Sequence, residues 1–135
     1  MTGLNLEVWK VEFDRCSETG RIKGEYWSKD GVPESPPGDR PQTILYDEHG
    51  RPTHLKWQKC GQNHRDGGPS WLVINPDTGV HIREHYCVEG RLHRPDRMPA
   101  KIHRDPTTGE VEYFAFYENG VQRFWRKIND LALSP

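Results

Sequence analysis

Two His-Arg pairs are the residues in this sequence best suited to chemistry, and both lie in similar surroundings. His64-Arg65 and His93-Arg94 each follow a glycine by three positions and precede a proline. An imidazole beside a guanidinium is suited to act as a general base next to a phosphate clamp, as in a nuclease. Repetition favours a structural role, because an active site is needed once and a structural bond once per unit. We therefore expect the arginines to bond loop carbonyls and Asp66 or Asp96, and the histidines to close turns.

Histidine and cysteine residues raise the question of a metal site. His81, His85 and Cys87 alternate along one predicted strand, so their side chains point to one face. The preceding segment adds His54, Cys60 and His64. Structural zinc prefers four closely spaced ligands with C-x-x-C or similar knuckles, which this sequence lacks. We expect no metal and no other cofactor, and a metal-dependent hydrolase is the least favoured alternative.

Other catalytic signatures are missing from the sequence too. It contains no glycine-rich phosphate loop, no nucleophile elbow and no evident pair of catalytic carboxylates. The expectation is therefore a protein that is not an enzyme and has no catalytic residues.

Composition narrows the class of protein further. The 135 residues are 33% hydrophobic, and 19 basic residues nearly balance 20 acidic ones, which argues against a generally basic nucleic-acid binder. Apolar runs are far shorter than the roughly 20 residues of a membrane span, and the start has no signal-peptide pattern. An odd count of three cysteines suits a reducing compartment. We expect one domain over residues 1–135, in the cytoplasm and not at a membrane.

Glycines and aromatic residues recur with a period of about 30 residues, which indicates internal repeats. The first glycine of each pair returns at intervals of 30, 29 and 30 residues, at Gly20, Gly50, Gly79 and Gly109. A second glycine follows eleven residues later, at Gly31, Gly61, Gly90 and Gly120. Four residues before it lies an aromatic residue, at Trp27, Trp57, Tyr86 and Phe116. The pattern predicts four tandem units over residues 20–120.

Each unit has the pattern of a β-hairpin followed by a proline-bearing loop. Short β-rich segments follow Pro41, Pro69 and Pro99, and each meets an Asp- or Asn-led turn. Asn119-Gly120 is a strong hairpin signal at the last turn. We predict an all-β fold of tandem antiparallel hairpins, forming an elongated meander sheet or an open solenoid. Residues 4–19 form an N-terminal cap with a strand over 4–13, and 121–135 a C-terminal cap and tail with a short helix or a last strand.

The loop element resembles a known repeat pattern. Residues 61–69 and 90–99 carry a Gly-x-x-His-Arg-x-x-Gly-Pro-Ala-type element, similar to tandem repeats of small bacterial, phage and giant-virus proteins. These are MORN-like in their glycine- and aromatic-marked hairpins. The resemblance covers residues 20–120 and implies a hairpin-repeat fold and a non-enzymatic scaffold with no common activity. The period of about 30 differs from that of MORN repeats, so their membrane roles do not transfer.

The recurring aromatic residues divide the predicted strands into two faces. The column of Trp27, Trp57, Tyr86 and Phe116 is expected to form one buried stack, because nothing else in the sequence fills an interior. The opposite face is then solvated, and includes Gln58, Cys87 and Ala115. It also holds the residues predicted to bind a partner, which are Tyr26, His54, Lys56, Arg83, His85, Tyr113 and Tyr117.

These features together predict a protein that works by binding. The first expectation is a non-enzymatic module that binds another protein, acting as a small inhibitor or adaptor of phage or mobile-element type. The alternative is a nucleic-acid binder that uses the Arg/His/Lys strand face with tyrosine stacking. An exposed edge strand also leaves open a homodimer paired edge to edge.

Overall fold

One antiparallel sheet dominates the protein. The computed structural model describes residues 7–128, which form a ten-stranded sheet and two separate two-stranded hairpins. The strands are β1 (Trp9–Arg15), β2 (Ile22–Lys29), β3 (Val32–Pro33), β4 (Thr43–Tyr46), β5 (Pro52–Lys56), β6 (Gln58–Lys59), β7 (Gln62–Asn63), β8 (Trp71–Ile74), β9 (His81–His85), β10 (Cys87–Val88), β11 (Arg91–Leu92), β12 (Lys101–Arg104), β13 (Val111–Glu118) and β14 (Val121–Lys127). The order across the large sheet is β1-β2-β4-β5-β8-β9-β12-β13-β14, with β3 paired to β2. The predicted all-β antiparallel meander is confirmed.

Both ends of the described chain are strands. β1 starts at Trp9 and pairs with β2, while residues 4–6 of the strand predicted over 4–13 lie outside the described residues. The segment after Gly120 continues as β14, so of the two predicted forms of the C-terminal cap the strand is the one adopted over 121–127. The rest of the predicted cap and tail, 129–135, lies outside the described residues. Between residues 7 and 128, nothing helical has the length and apolarity to cross a bilayer.

Turn chemistry explains why the chain reverses where it does. Asn119 and Gly120 have φ angles of 48° and 84°, the two positive values that a type I′ hairpin turn requires. In the turn between β12 and β13, the Asp105 carboxylate accepts hydrogen bonds from the backbone N–H groups of Thr107 and Thr108, both at 2.8 Å. These bonds lower the pKa of Asp105 below its usual value. Local side-chain chemistry therefore fixes both kinds of turn.

The two small hairpins extend the ends of β5 and β9 and bond to one another. Hairpin β6–β7 follows β5 and hairpin β10–β11 follows β9. The Gly90 N–H donates to the Asn63 carbonyl at 2.9 Å, and the Gly120 N–H donates to the Leu92 carbonyl at 2.8 Å. The turn residues of one hairpin thus join it to the hairpin before it.

Each large hairpin shifts register by one residue near its turn. The shifts fall between Leu45 and Tyr46, between Val73 and Ile74, and between His103 and Arg104. The first and last hairpins shift between Asp14 and Arg15 and between Phe116 and Tyr117. An extra residue on one strand of an antiparallel pair increases the local right-handed twist. The sheet is therefore twisted at the same place in successive hairpins.

One face of the sheet, which we call the packing face, holds the predicted aromatic residues. The backbone N–H groups of Trp27, Trp57 and Tyr86 donate to the carbonyls of Gln42, Ser70 and Ala100, each at 2.8 Å. Gln42, Ser70 and Ala100 are buried, at 5%, 0% and 0% exposure. These three residues directly follow the loop prolines. Their small or medium side chains thus separate each aromatic residue from the next.

The predicted single buried stack is wrong in its packing. Of the four aromatic residues only Trp57 is buried, at 5% exposure, and the other three are half-buried. Arginine guanidinium groups cover three of the rings instead: Arg40 lies 5.2 Å from the Trp27 centroid, Arg65 3.7 Å from Trp57 and Arg94 3.8 Å from Tyr86. The reason is geometric. A strand lies between each ring and the next, so the rings cannot bury one another, and arginine side chains cover them instead.

Candidate functional site

Two rows of side chains run across the other face of the sheet. Directly paired residues of antiparallel strands lie on the same face. The first row is Tyr26, Thr43, Lys56, Trp71, His85, Lys101, Ala115 and Trp125. The second, two residues along each strand, is Gly24, Leu45, His54, Val73, Arg83, His103, Tyr113 and Lys127. We call these two rows the ladder face.

Five rings of the ladder face form a continuous run from β8 to β14. Trp71 and His85 have ring centroids 4.6 Å apart, and His85 stacks on His103 at 5.7 Å with an angle of 19° between the rings. Tyr113 follows at 4.9 Å from His103, and Trp125 lies 6.4 Å beyond it. These spacings are close to the strand separation of about 4.8 Å, because neighbouring strands each contribute a ring. The result is an aromatic strip across the sheet.

The two histidines within this strip are neutral near pH 7. Burial lowers the pKa of His85 to about 4, and the nearby charges of Lys101, His103 and Arg83 act in the same direction. Burial and the charges of Arg83 and Lys101 also lower the pKa of His103. The Nε2 atoms of the two rings are 3.4 Å apart, so an N–H of one neutral ring donates a hydrogen bond to the other ring. The strip is therefore uncharged near pH 7.

Four cationic side chains border the aromatic strip. Lys56, Arg83, Lys101 and Lys127 lie in the two rows, and within residues 7–128 none has a carboxylate within 4 Å. The Lys101 ammonium lies 5.4 Å from the centroid of the Tyr117 ring. By contrast, Lys10 at the far end of the sheet pairs with Glu12 at 2.6 Å. Positive charge is thus left uncompensated beside the rings.

A shallow groove of about 400 Å³ opens where the strip meets these cations. Its walls are Lys101, His103, Glu112, Tyr113 and Lys127. Burial and the nearby Tyr117 raise the pKa of Tyr113, so its hydroxyl stays protonated at neutral pH. The groove therefore presents two ammonium groups, two rings and one carboxylate to the same small volume.

The structure brings together most of the residues predicted to bind a partner. His54, Lys56, Arg83, His85 and Tyr113 all lie in the two rows of the ladder face. Tyr117 lies just beyond the first row, where its hydroxyl donates to Gln122 at 2.9 Å.

Tyr26 is the member placed apart from the others. Its ring lies over Gly24, where an added Cβ would come within 2.7 Å of the tyrosine oxygen. Thr43 and Lys56 separate it from the aromatic strip in the row. Tyr26 therefore covers a glycine at the other end of the face.

Two residues assigned to the solvated face from the sequence are buried, which corrects that expectation. Ala115 is 0% exposed although it lies in the first row, because Lys101 and Trp125 flank it. Cys87 is 7% exposed, and its burial raises the pKa of the thiol. Neither side chain is free to touch a partner.

Sequence reasoning missed five of the ring-bearing or cationic members of the face, all on strands whose pairing partners it did not assign. They are Trp71, Lys101, His103, Trp125 and Lys127. The alternation of residue types in the segments after Pro69 and Pro99 was the available signal. Pairing those segments residue by residue with the second strand of each hairpin would have placed Trp71, Lys101 and His103 on this face.

The His-Arg loops hold the packing face together. Arg65 donates from Nε and Nη2 to the two carboxylate oxygens of Asp39, at 3.1 and 2.9 Å, and from Nη1 to the Pro69 carbonyl at 3.2 Å. Arg94 donates to the Pro99 carbonyl at 3.1 Å. The loop carbonyls are as predicted, but the carboxylate bound by Arg65 is Asp39 of the preceding loop rather than Asp66. Arg65 contacts Asp39 because the loop that holds Asp39 lies beside the loop that holds Arg65.

The histidines of these loops bond to turns of the following hairpin. His64 Nδ1 accepts the Glu89 backbone N–H at 3.0 Å, and His93 Nδ1 accepts that of Asn119 at 3.1 Å. His64 Nε2 also lies 3.1 Å from the Asp66 carboxylate. Each imidazole therefore closes a turn about 25 residues ahead of it in the chain, instead of its own turn.

The remaining candidates for metal or thiol chemistry are dispersed. Cys60 is exposed in a turn, whereas Cys87 is buried. Hydrogen bonds with Thr19 and Glu18 lower the pKa of Cys16 to about 7. Across residues 7–128, no three His, Cys, Asp or Glu side chains are grouped as metal ligands would be.

Comparison with known proteins gives no further guide to this site. No protein-family model matches the chain, and neither a curated protein nor a solved structure does. The chemistry of the ladder face is therefore the main basis for a functional conclusion. Rings that stack and cations that attract are suited to binding planar and anionic groups.

Proposed function

We propose that this protein is a non-enzymatic binding module made of tandem hairpin repeats, and that its partner binds the ladder face. The observation that carries the proposal is an uncharged run of five rings bordered by four cations that have no ion-pair partner within residues 7–128. Rings and arginine are enriched at the centres of binding interfaces.

The repeat interpretation supports this assignment of roles. Equivalent contacts recur at intervals close to 30 residues, such as the N–H groups of Cys60, Glu89 and Asn119, which bond to the side chains of Glu34, His64 and His93. Residues needed for the fold recur in each unit. The ladder face does not recur in this way: Lys56, His85 and Ala115 occupy corresponding places. Variation at a fixed position of a regular scaffold favours a surface shaped for a partner.

The resemblance to phage and mobile-element repeat proteins favours a small inhibitor or adaptor that binds another protein in the cytoplasm. This step is an analogy of repeat pattern, since fold does not determine function. A specific observation favours nucleic acid as the second candidate partner, namely the uncompensated charge of Lys56, Arg83, Lys101 and Lys127. Both candidates use the same face.

Charge reversal on the ladder face tests the proposal. The double variant Arg83→Glu/Lys101→Glu and the matched control Lys59→Glu are compared with the unmodified protein as affinity baits in native extract. Lys59 is exposed on hairpin β6–β7, away from the ladder rows. Bound proteins are measured by mass spectrometry and bound nucleic acid by sequencing.

The proposal expects the double variant to lose material that the unmodified protein and Lys59→Glu both retain. Equal recovery by all three baits, with thermal melts showing that each is folded, would overturn it. Loss confined to Arg65→Ala or Arg94→Ala would move the binding surface to the His-Arg loops.

A further inference from the structure

We propose that the ladder face binds single-stranded nucleic acid, an inference that rests on the proposed function of this face. Single-stranded sites combine a cationic track for the backbone with aromatic side chains on which bases stack. The ladder face has both components in two adjacent rows. Trp125 is 48% exposed and Tyr113 is half-buried, so both rings are open to a stacking base.

The dimensions of the strip suit an oligonucleotide. From β5, which holds Lys56, to β14, which holds Lys127, the sheet advances by five strand spacings, or about 24 Å. Cations occur along this whole length, with Arg83 and Lys101 between the two ends. A surface of this length matches the several nucleotides that single-strand-binding β-proteins contact.

The groove beside Tyr113 indicates a ligand with bases rather than a plain polyanion. Glu112 lies in the wall together with Lys101 and Lys127. A carboxylate repels phosphate but accepts hydrogen bonds from amino groups on base edges, as Glu does from cytosine N4. A nucleotide can offer its phosphate to the ammonium groups, its base to Tyr113 and an amino group to Glu112.

A double helix and an acidic protein fit the face less well. A duplex keeps the flat sides of its bases stacked internally, so the run of rings would have nothing to stack on. An acidic protein would pair with the four cations, but its carboxylate side chains have no aromatic face to stack on the rings of the strip. Single-stranded nucleic acid uses rings and cations together, so the contacts of the face favour it over the protein partner that the repeat resemblance suggests.

Fluorescence anisotropy with a labelled 12-nucleotide DNA of mixed sequence tests the inference on the full chain. Single strands lose affinity with a log–log salt slope of about −0.7 for each phosphate contact. Four contacts predict a slope of about −2.8, which is roughly 50-fold weaker binding at 200 than at 50 mM salt. The variant Arg83→Gln/Lys101→Gln should reduce the slope by about 1.4, and Lys59→Gln should leave it unchanged.

Stacking is tested separately from charge. Tyr113→Leu and Trp125→Leu keep apolar bulk and net charge, and each should weaken binding about fivefold or more. Heparin, which has no bases, should displace the labelled DNA less effectively than an unlabelled oligonucleotide with the same number of charges. Each variant is checked for its unfolding midpoint, so that loss of fold is not mistaken for loss of a contact.

The outcomes separate this inference from the proposed function. Salt-sensitive binding that depends on both rings and cations supports single-stranded nucleic acid. Effective competition by heparin with no effect of the ring variants would mean a plain polyanion site and would overturn it. No oligonucleotide binding, together with a protein lost from the Arg83→Glu/Lys101→Glu bait, would overturn the nucleic-acid inference and leave the proposed function standing. If the Arg83→Glu/Lys101→Glu bait recovers the same material as the unmodified protein, both the nucleic-acid inference and the proposed function are overturned.

Discussion

The two faces of the sheet use similar residue types in opposite ways. On the packing face, Trp57 and Tyr86 are each kept apart from the next ring by a small residue and covered by an arginine. On the ladder face, rings contact one another and the neighbouring cations form no ion pair within the described part of the chain. The same pairing of aromatic and basic side chains therefore stabilises one face and leaves the other available. Regular contacts stabilise the fold, and the proposed function assigns the irregular ones to a partner.

The arginine covers explain how a chain with only 33% hydrophobic residues builds an interior. A single sheet has no second layer to bury its rings. The long aliphatic stems of arginine cover apolar surface while their charged ends remain hydrogen-bonded. Arg65 contacts the Trp57 ring, binds Asp39 with two bonds and holds the Pro69 carbonyl. A charged residue thus buries the Trp57 ring, as an apolar core residue would in a two-layered protein.

Removing the buried ring should have the largest effect of any change to either face. Trp57→Ala leaves a cavity beneath Arg65 and frees the Asp39 carbonyl that the indole N–H binds at 3.0 Å. We expect a loss of about 3–5 kcal/mol in unfolding free energy. Urea denaturation followed by circular dichroism measures it, with the exposed Trp125→Ala as the control. A loss for Trp57→Ala no larger than that of the control would remove the distinction between the faces.

Removing an arginine cover should have the next largest effect. Arg65→Ala loses a desolvated cation–π contact and leaves Asp39 without its partner, so we expect a loss of about 2 kcal/mol. Gly68→Ala should also destabilise, because a Cβ there would lie 2.8 Å from the guanidinium carbon. Arg94→Ala should act in the same direction. Thermal and urea unfolding measure all three variants, and stability equal to that of the unmodified protein would show that the arginines are not needed as covers.

Acid should weaken the protein through the ladder face. The pKa of His85 is about 4 in the folded protein, below the usual value of about 6.5 in an unfolded chain. Between these values the unfolded chain takes up a proton and the folded chain does not, so stability falls as pH drops from about 6.5 to about 4. Allowing for partial exposure of the ring, His85 contributes about 1–2 kcal/mol to this loss.

The variant His85→Gln isolates that contribution. Carboxylates such as Asp39 and Asp47, whose pKa values are lowered, also lose stabilising contacts in acid, but they remain in the variant. The difference in pH dependence between the two proteins therefore reports His85 together with its coupling to His103. Nuclear magnetic resonance titration of the ring gives the pKa directly, and a value near 6.5 would contradict its burial in the strip.

Exposed residues of the ladder face should have the smallest effect on stability. Arg83→Ala is expected to change the unfolding free energy by no more than about 0.5 kcal/mol, and Tyr113→Ala by little more. At least one of them should weaken partner binding by about 1 kcal/mol or more. Denaturation and a binding titration on the same samples make the comparison. Stable Arg65 and Arg94 variants that lose the partner, beside Arg83 and Tyr113 variants that keep it, would reverse the roles of loops and sheet.

Local chemistry made the strands and turns predictable from the sequence. Asn119-Gly120 and the turn led by Asp105 are defined by residues adjacent in the chain. The face that holds His54, Arg83 and Tyr113 followed from alternation along each strand. The loop carbonyls bound by Arg65 and Arg94 were within reach of the same reasoning.

Contacts between distant parts of the chain were not predictable in this way. Trp71 joins His85 because β8 pairs with β9 in one register, and a shift of one residue would move it to the other face. Asp39 reaches Arg65 only because two loops pack side by side. The lowered pKa of His85 depends on burial and on the charges of residues from β9 and β12. None of these follows from residue type and spacing within a single hairpin.

The histidine-to-turn bonds give the array a direction. His64 and His93 each satisfy a turn that lies further along the chain, so every acceptor belongs to the earlier hairpin and every donor to the later one. At the N-terminal end, Val8 supplies the carbonyl that the Asp30 N–H requires. Shortening the chain from its C-terminal side would leave a spare imidazole acceptor, which water readily serves. Shortening it from the N-terminal side would instead leave the Glu89 or Asn119 N–H without its imidazole acceptor.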